Sequence, residues 1–229
     1  MIIIFAFLFI YIIFFIVSNK IHIDLKSFLK KGFKKYDNDF GLFCYCGKQG
    51  KGKTYSAIKF LIERKMEKDY KILTNVKSFN IFNDTIYFEN ISDIIEYCTK
   101  FKDNDENIII FFDEIFTILE KKASINKDIL SFISQLRKRH IIFITTAQEW
   151  AEINITFRRY VRYQIDCNMF SIPFFHTAYI FNSINDGDQI KWDNDSQEYL
   201  APRISANFSK CNRSVIESYD TFETINVLK

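Results

Sequence analysis

The first 18 residues, MIIIFAFLFIYIIFFIVS, carry no charged side chain and are apolar at nearly every position, with neither a two-residue nor a 3.6-residue period. An apolar helix of that length spans roughly 27 Å, close to a bilayer core, so the pattern predicts a transmembrane helix over residues 1–18. A signal peptide is disfavoured because there is no basic start and no small-residue cleavage site. From residue 40 onward the pattern changes to apolar runs alternating with helical spacing. FGLFCYCG (40–47) reads as a short strand ending in glycine, and TYSAIKFLIERKME (54–67) as a helix. NIIIFFDEI (107–115) has the continuous apolar run of a strand buried on both faces. NKDILSFISQLRKR (126–139) reads as a helix and HIIFITTAQEW (140–150) as another buried strand. Two more strands are predicted over 160–166 and 173–183, and NDGDQIKW (185–192) as a hairpin-like turn. Residues 214–225 have a weaker helical pattern.

Strand and helix alternating in this way predict an α/β fold with a mostly parallel central sheet. The resulting organisation is a transmembrane helix (1–18), a juxtamembrane linker (19–38) and one domain (39–229) with a C-terminal β extension. The linker is rich in lysine (Lys20, Lys26, Lys30, Lys31, Lys34, Lys35), which places the following domain on the cytoplasmic side of a single-pass membrane protein. Net charge is only +3, so any basic surface must be local. Arginine is local: five of the eight (Arg137, Arg139, Arg158, Arg159, Arg162) fall within 26 residues. Five cysteines without CxxC or zinc spacing point to reduced, buried thiols.

Three of the six glycines lie in one octapeptide, GKQGKGKT (47–54). Gly47, Gly50, Gly52, Lys53 and Thr54 fit G-x-x-x-x-G-K-[ST] between a predicted strand and a predicted helix. Glycines there let consecutive amides surround a phosphate. Gly47, Lys48, Gln49, Gly50, Lys51, Gly52, Lys53, Thr54 and Tyr55 are therefore the candidate nucleotide-binding residues, with Lys53 directed at the β and γ phosphates and the Thr54 hydroxyl at Mg²⁺. An ordinary glycine turn opening a helix is the competing reading. Asp113 and Glu114 follow a buried strand, where ligands of open α/β sheets bind. Asp113 suits a carboxylate in the Mg²⁺ shell and Glu114 a base that polarises an attacking water; an acidic helix N-cap is the alternative. Thr145, Thr146 and Gln148 end the next strand, and Gln148 is a candidate sensor of the γ phosphate. Arg137 and Arg139 before the Gln148 strand, and Arg158 and Arg159 after it, are candidates for completing a neighbouring subunit's site; a DNA path or a solvated basic face competes for them.

These residues carry a family resemblance. GKQGKGKT, ILTN (72–75), FFDEI, LRKRHIIFITTAQ and SYDTFETI (218–225) together resemble the Zot-like (zonula occludens toxin-like) ATPases of filamentous phages, within the FtsK–HerA group of DNA pumps. The resemblance covers roughly residues 40–225. It implies a RecA-like ASCE P-loop sheet with the Gln148 strand between the two phosphate-site strands, ATP hydrolysis with Mg²⁺, a homo-oligomeric ring, and phage DNA moved at the host inner membrane, with coat or secretion partners. One departure is the order of parts: the apolar helix precedes the domain here, as in FtsK and the conjugative coupling proteins. Packaging, virion extrusion and conjugation are all compatible with that order, as is a membrane scaffold that uses ATP to recruit partners.

Overall fold

The computed structural model describes residues 2–23, 40–79, 81–100, 106–115, 126–172, 177–189, 191–193 and 198–220. Its centre is a nine-stranded sheet in the order β1-β11-β8-β7-β2-β6-β5-β3-β4. Along the chain these strands are β1 (Ile21–Ile23), β2 (Gly41–Cys46), β3 (Tyr70–Thr74), β4 (Ile86–Tyr87), β5 (Asn107–Phe112), β6 (Ile141–Ala147), β7 (Val161–Ile172), β8 (Thr177–Asp186) and β11 (Arg203–Lys210). β8 runs antiparallel to both its neighbours, and every other pairing in the sheet is parallel. β9 (Lys191–Asp193) and β10 (Glu198–Leu200) form a separate hairpin. β6, the strand that leads to Gln148, lies between β2 and β5, which lead to the glycine loop and to Asp113. That is the order the resemblance implied.

Alternate side chains explain why the central strands read as unbroken apolar runs. Ile108, Ile110 and Phe112 of β5 face one core while Ile109 and Phe111 face the other. Phe143 and Ile144 of β6 divide in the same way. Each such side chain contributes about 1.5–3 kcal/mol when fully buried. The first core is covered by α3 (Ile91–Lys100) and α4 (Lys127–Ser134), and the second by α2 (Lys53–Glu67).

Toward the β extension, α2 buries polar groups instead. The Ser56 hydroxyl exchanges hydrogen bonds with the Asn182 side chain of β8, and Lys59 Nζ donates to Ser209 Oγ of β11 at 3.1 Å. Ser56, Lys59, Asn182 and Ser209 are all buried, so this seam between helix and extension is directional rather than apolar.

Several boundaries differ from expectation. The first strand of the extension is longer than expected, at 161–172, because its mixed polarity suits a strand with one partly open face and hides its period; the second runs over 177–186, ending three residues further along than expected, and 173–176 lie outside the described residues. At residues 187–189 the chain makes a 3₁₀ turn (Gly187–Gln189) before β9. A Cβ at Gly187 would stand 1.9 Å from the Val161 carbonyl oxygen, so close backbone approach is the reason for glycine there. Of the helix sketched at 214–225, α5 (Arg213–Ile216) forms, and residues beyond 220 lie outside the described residues. Most of the segment expected as a linker, 19–38, lies outside them too, but residues 21–23 form β1 at the sheet edge.

The expected transmembrane helix is not supported. α1 (Ile2–Ser18) has 17 residues, about 25 Å, which is shorter than a bilayer core of about 30 Å. Among the described residues no helix is long and apolar enough to cross a membrane. α1 packs against neither core, and its side chains from Phe7 to Phe15, with Val17, are exposed.

Candidate nucleotide site

The parallel strands deliver their C-terminal ends to one cavity of about 440 Å³. β2 supplies the glycine loop, β3 supplies Val76, β5 supplies Asp113 and Glu114, and β7 supplies Met169. Gln49, Gly50, Gly52, Lys53, Thr54 and Tyr55 line it as expected. The rest of the expected loop residues play other parts. The Gly47 N–H donates to the Ala147 carbonyl at 3.2 Å, tying the loop to β6. The Lys48 carbonyl accepts from Lys53 Nζ at 3.4 Å, and Lys51 Nζ donates to Asn168 Oδ1 at 3.1 Å. Gly52 is the N-cap of α2 with φ +82°, a left-handed conformation, and a Cβ there would meet Ile180 Cδ1 at 2.7 Å and Met169 Cε at 2.8 Å. The left-handed turn demands glycine, whereas the two side-chain tips could shift.

Two strand ends meet across the cavity floor. Thr54 Oγ1 donates to Asp113 Oδ2 at 3.2 Å, joining α2 to the end of β5. Thr146 Oγ1 donates to Asp113 Oδ1 and accepts from the Glu114 N–H at 2.9 Å. Asn75 completes the grip, since its side chain accepts from the Asp113 N–H at 2.8 Å and donates to the Asp113 carbonyl at 3.1 Å. Glu114 has φ +56°, which a non-glycine residue adopts only where its surroundings impose it. The bond from its N–H to Thr146 is one such constraint.

Burial pushes the Asp113 carboxyl above the ordinary carboxylate range, and the nearby Glu114 adds to this; the Thr146 and Thr54 hydroxyls and the Lys53 charge oppose it. A buried carboxylate beside a hydroxyl, next to a glycine cradle that side chains would fill, fits a magnesium ion whose remaining ligands are phosphate oxygens and water. Among the described residues no group of three or more His, Cys, Asp or Glu side chains could hold a metal by itself.

Gln148 is exposed just past β6, one residue beyond the Ala147 carbonyl that holds Gly47, and it does not line the cavity. Thr146, two residues earlier, is the member of that strand end that reaches the acidic pair. Arg137 and Arg139 stand at the opposite end of the sheet. Arg137 Nη2 pairs with Asp188 at 2.8 Å, and Arg139 donates to Gln135 Oε1 at 3.0 and 3.2 Å. Arg158 is buried, with its Nε donating to the Ile153 carbonyl at 2.9 Å.

Several residues in or beside the cavity were not singled out from the sequence as binding residues. Asn75 ends the ILTN stretch, where only its polarity after an apolar strand marks it. Ile216, Tyr219 and Asp220 line the cavity from the C-terminal segment, so two residues of the SYD stretch reach it. That segment is held by the Asn212 N–H donating to Tyr55 Oη at 2.8 Å and by the Asp220 N–H donating to Ser78 Oγ at 2.8 Å. Burial raises the Tyr219 phenol, and the Asp113 charge adds to the rise.

Residues 43–169 match the model of the ATPase family associated with various cellular activities (AAA). No curated protein matches the sequence. Among solved structures, the chain is similar to the N-terminal domain of zonular occludens toxin from Neisseria meningitidis, with 14% identity, 79% of this chain and 100% of that one covered, and a TM-score of 0.49. It is also similar to the genome packaging NTPase B204 from Sulfolobus turreted icosahedral virus 2 in complex with ATP-gammaS, with 11% identity, 74% and 100% covered, and a TM-score of 0.49. A third is the flagellar accessory protein FlaH from Methanocaldococcus jannaschii, with 17% identity, 63% and 77% covered, and a TM-score of 0.39.

Proposed function

Because the chain belongs to the AAA family of ATPases, we propose that ATP hydrolysis at this cavity drives a membrane-attached motor that moves phage DNA during packaging or virion extrusion. The observation that carries the reading is the joining of the glycine loop to the acidic pair: Thr54 bonds Asp113, and Glu114 is held beside it at the cavity. A nucleotide switch needs the loop and Asp113 but not a second carboxylate held in a left-handed conformation.

In this proposal the loop amides and Lys53 bind the triphosphate, and Thr54 and Asp113 hold magnesium. The chemistry supplied by magnesium, when bound, is neutralisation of charge on the β and γ phosphate oxygens. Glu114 orients the attacking water and accepts its proton, and Tyr219 and Asp220 line the cavity from the C-terminal segment. Gln148 needs a short movement of the segment after β6 to sense the γ phosphate. Arg137 and Arg139 lie at the far end of the sheet from their own subunit's site, so any part they take in hydrolysis is in a neighbouring subunit's site. A ring of subunits and DNA as cargo follow from the resemblance of the motifs, and a cytoplasmic ATPase domain from the lysines of residues 20–35. Membrane attachment follows from α1, whose apolar side chains from Phe7 to Phe15 are exposed and have no partner in the domain cores.

The test is ATP turnover by the full-length protein in detergent or vesicles, with and without single- and double-stranded DNA. Stimulation by either, lost in Glu114→Gln with ATP still bound, is expected. A flat response to both would refute the motor and leave an ATP-dependent scaffold.

A further inference from the structure

The arginine cluster, which the nucleotide site does not use, lies at the end of the sheet from which α1 departs. α1 ends at Ser18 and β1 begins at Ile21, so two residues join them. The Asn19 and Lys20 N–H groups donate to the Phe15 and Val17 carbonyls at 3.1 Å each, and Lys20 turns the chain with φ +49°. β1 is then fixed to β11 in parallel register, Ile21 opposite Ala206, and the Ala206 N–H donates to the Lys20 carbonyl at 3.3 Å. The helix is thus tied to the end of the sheet where β11 begins, at Arg203.

Register carries that end across to the arginines. Arg203 pairs with Asn185 of β8, Asp186 of β8 with Tyr163 of β7, Leu42 of β2 with Val161, and Gly41 with Ile142 of β6. Arg203, Arg159, Arg162, Arg137 and Lys138 therefore gather at one end, opposite the cavity. Side chains agree with this placement. Arg162 donates to the Phe40 carbonyl at 3.3 Å, and both Arg162 and Arg137 lie within 4 Å of the position a Gly41 Cβ would take. Arg137, Lys138, Arg159, Lys191 and Arg203 are exposed. So are Tyr160 and Trp192, at 40% and 52%. Among the described residues, Asp186 and Asp188 are the acids at the end of β8 and in the turn after it, and Asp193 and Glu198 belong to the β9–β10 ladder that carries Lys191 and Trp192; Arg137 pairs with Asp188, and Gln189 donates to Asp186.

We propose that this arginine-rich end of the sheet is a docking face for the anionic lipid headgroups of the membrane that takes up α1. The inference rests on the membrane reading of α1. A two-residue turn keeps the sheet end within about 10 Å of the surface the helix enters, the range over which surface charge acts at 0.1 M salt. Cations at that distance are attracted to anionic leaflets, and exposed Trp and Tyr favour the headgroup layer. Nucleic acid offers the same phosphate chemistry but not the adjoining apolar helix. Docking would hold the sheet upright, with the nucleotide cavity directed away from the bilayer.

The test uses the full chain reconstituted into vesicles of phosphatidylcholine alone or mixed with phosphatidylglycerol, each doped with a lipid bearing a nitroxide on its headgroup. Trp192 emission is read by difference from Trp192→Phe, because Trp150 is the other indole. Quenching about twofold or more stronger in the anionic vesicles is expected, falling to the neutral level in Lys138→Glu/Arg159→Glu/Lys191→Glu. That triple variant changes exposed side chains only and should still bind ATP. Equal quenching in both vesicle types, or quenching retained by the triple variant, overturns the docking face and leaves α1 as an anchor. A Trp192 response to oligonucleotide in neutral vesicles, lost in the triple variant, overturns it in favour of a nucleic-acid surface. Failure of the protein to float with either vesicle removes the anchor itself, and the docking face with it.

Discussion

Replacing Thr146 with valine removes one hydroxyl and almost no volume, and that hydroxyl makes two buried bonds, to Asp113 and from the Glu114 N–H. A hydrogen bond to a charged group contributes about 1.5–3 kcal/mol, and a buried N–H left without a partner costs about 1–3 kcal/mol. Their sum is moderated by relaxation, so Thr146→Val should lose about 2–4 kcal/mol from a total stability of about 5–15 kcal/mol. Glu114 would also lose a constraint on its left-handed backbone, and turnover should fall more than ATP affinity does. The assay is urea unfolding of the nucleotide-free protein, paired with steady-state ATP hydrolysis and equilibrium binding of a nonhydrolysable analogue. Thr146→Ser, which keeps the hydroxyl, should recover most of both properties. If Thr146→Val unfolds within about 0.5 kcal/mol of the parent and hydrolyses ATP within about twofold, Thr146 does not position the acidic pair.

Asp113→Asn should abolish hydrolysis and yet stabilise the nucleotide-free protein at neutral pH. The Asp113 pKa is raised on folding, so its favourable contribution is complete below the unfolded carboxylate value and is lost as pH rises through the folded one. The melting advantage of Asp113→Asn should therefore shrink as the buffer is acidified, and an advantage that grows on acidification would contradict this. Burial pushes the Cys98 and Cys167 thiols up to about 12. Against an ordinary value of about 8.5, the thiolate fraction near neutrality falls by about three orders of magnitude. Iodoacetamide followed by peptide mass analysis should find both sites almost unlabelled in native protein and labelled after denaturation; native labelling at the rate of an exposed thiol would disprove their burial.

The parts of the site that were legible from sequence are those whose chemistry depends on local spacing. Gly47–Thr54 could be read because a glycine loop between a strand and a helix needs no distant partner to be recognised. Asp113 and Glu114 could be read because an apolar run ending in acids marks the mouth of a parallel sheet. Thr146 and Asn75 are different: each matters through contact with Asp113 across a sheet pairing, and neither residue differs locally from any polar residue ending a strand. Gln148 attracted attention because its amide is the larger polar group, whereas register puts the shorter Thr146 against the carboxylate. Tyr219 and Asp220 reach the cavity only through packing of the C-terminal segment beside α2 and β3. The same holds for β1, three residues whose strand conformation comes from the free edge of β11 rather than from their own pattern. The arginines could be counted along the chain, but their common position at one sheet end appears only after the four strand pairings from β11 to β6 are known.

The polar contacts of Ser56 and Lys59 with Asn182 and Ser209 have a consequence for how the molecule finds its native form. An oily contact accepts sliding, since one methyl can replace another at little loss. Moving α2 by a single turn against β8 and β11 would instead carry every one of these donors and acceptors past its mate and strand them away from water, at about 1–3 kcal/mol each. The phosphate-loop helix and the β extension therefore fit like a key in its wards: misaligned arrangements are penalised several times over, and the helix that begins at Gly52 comes to rest in one place.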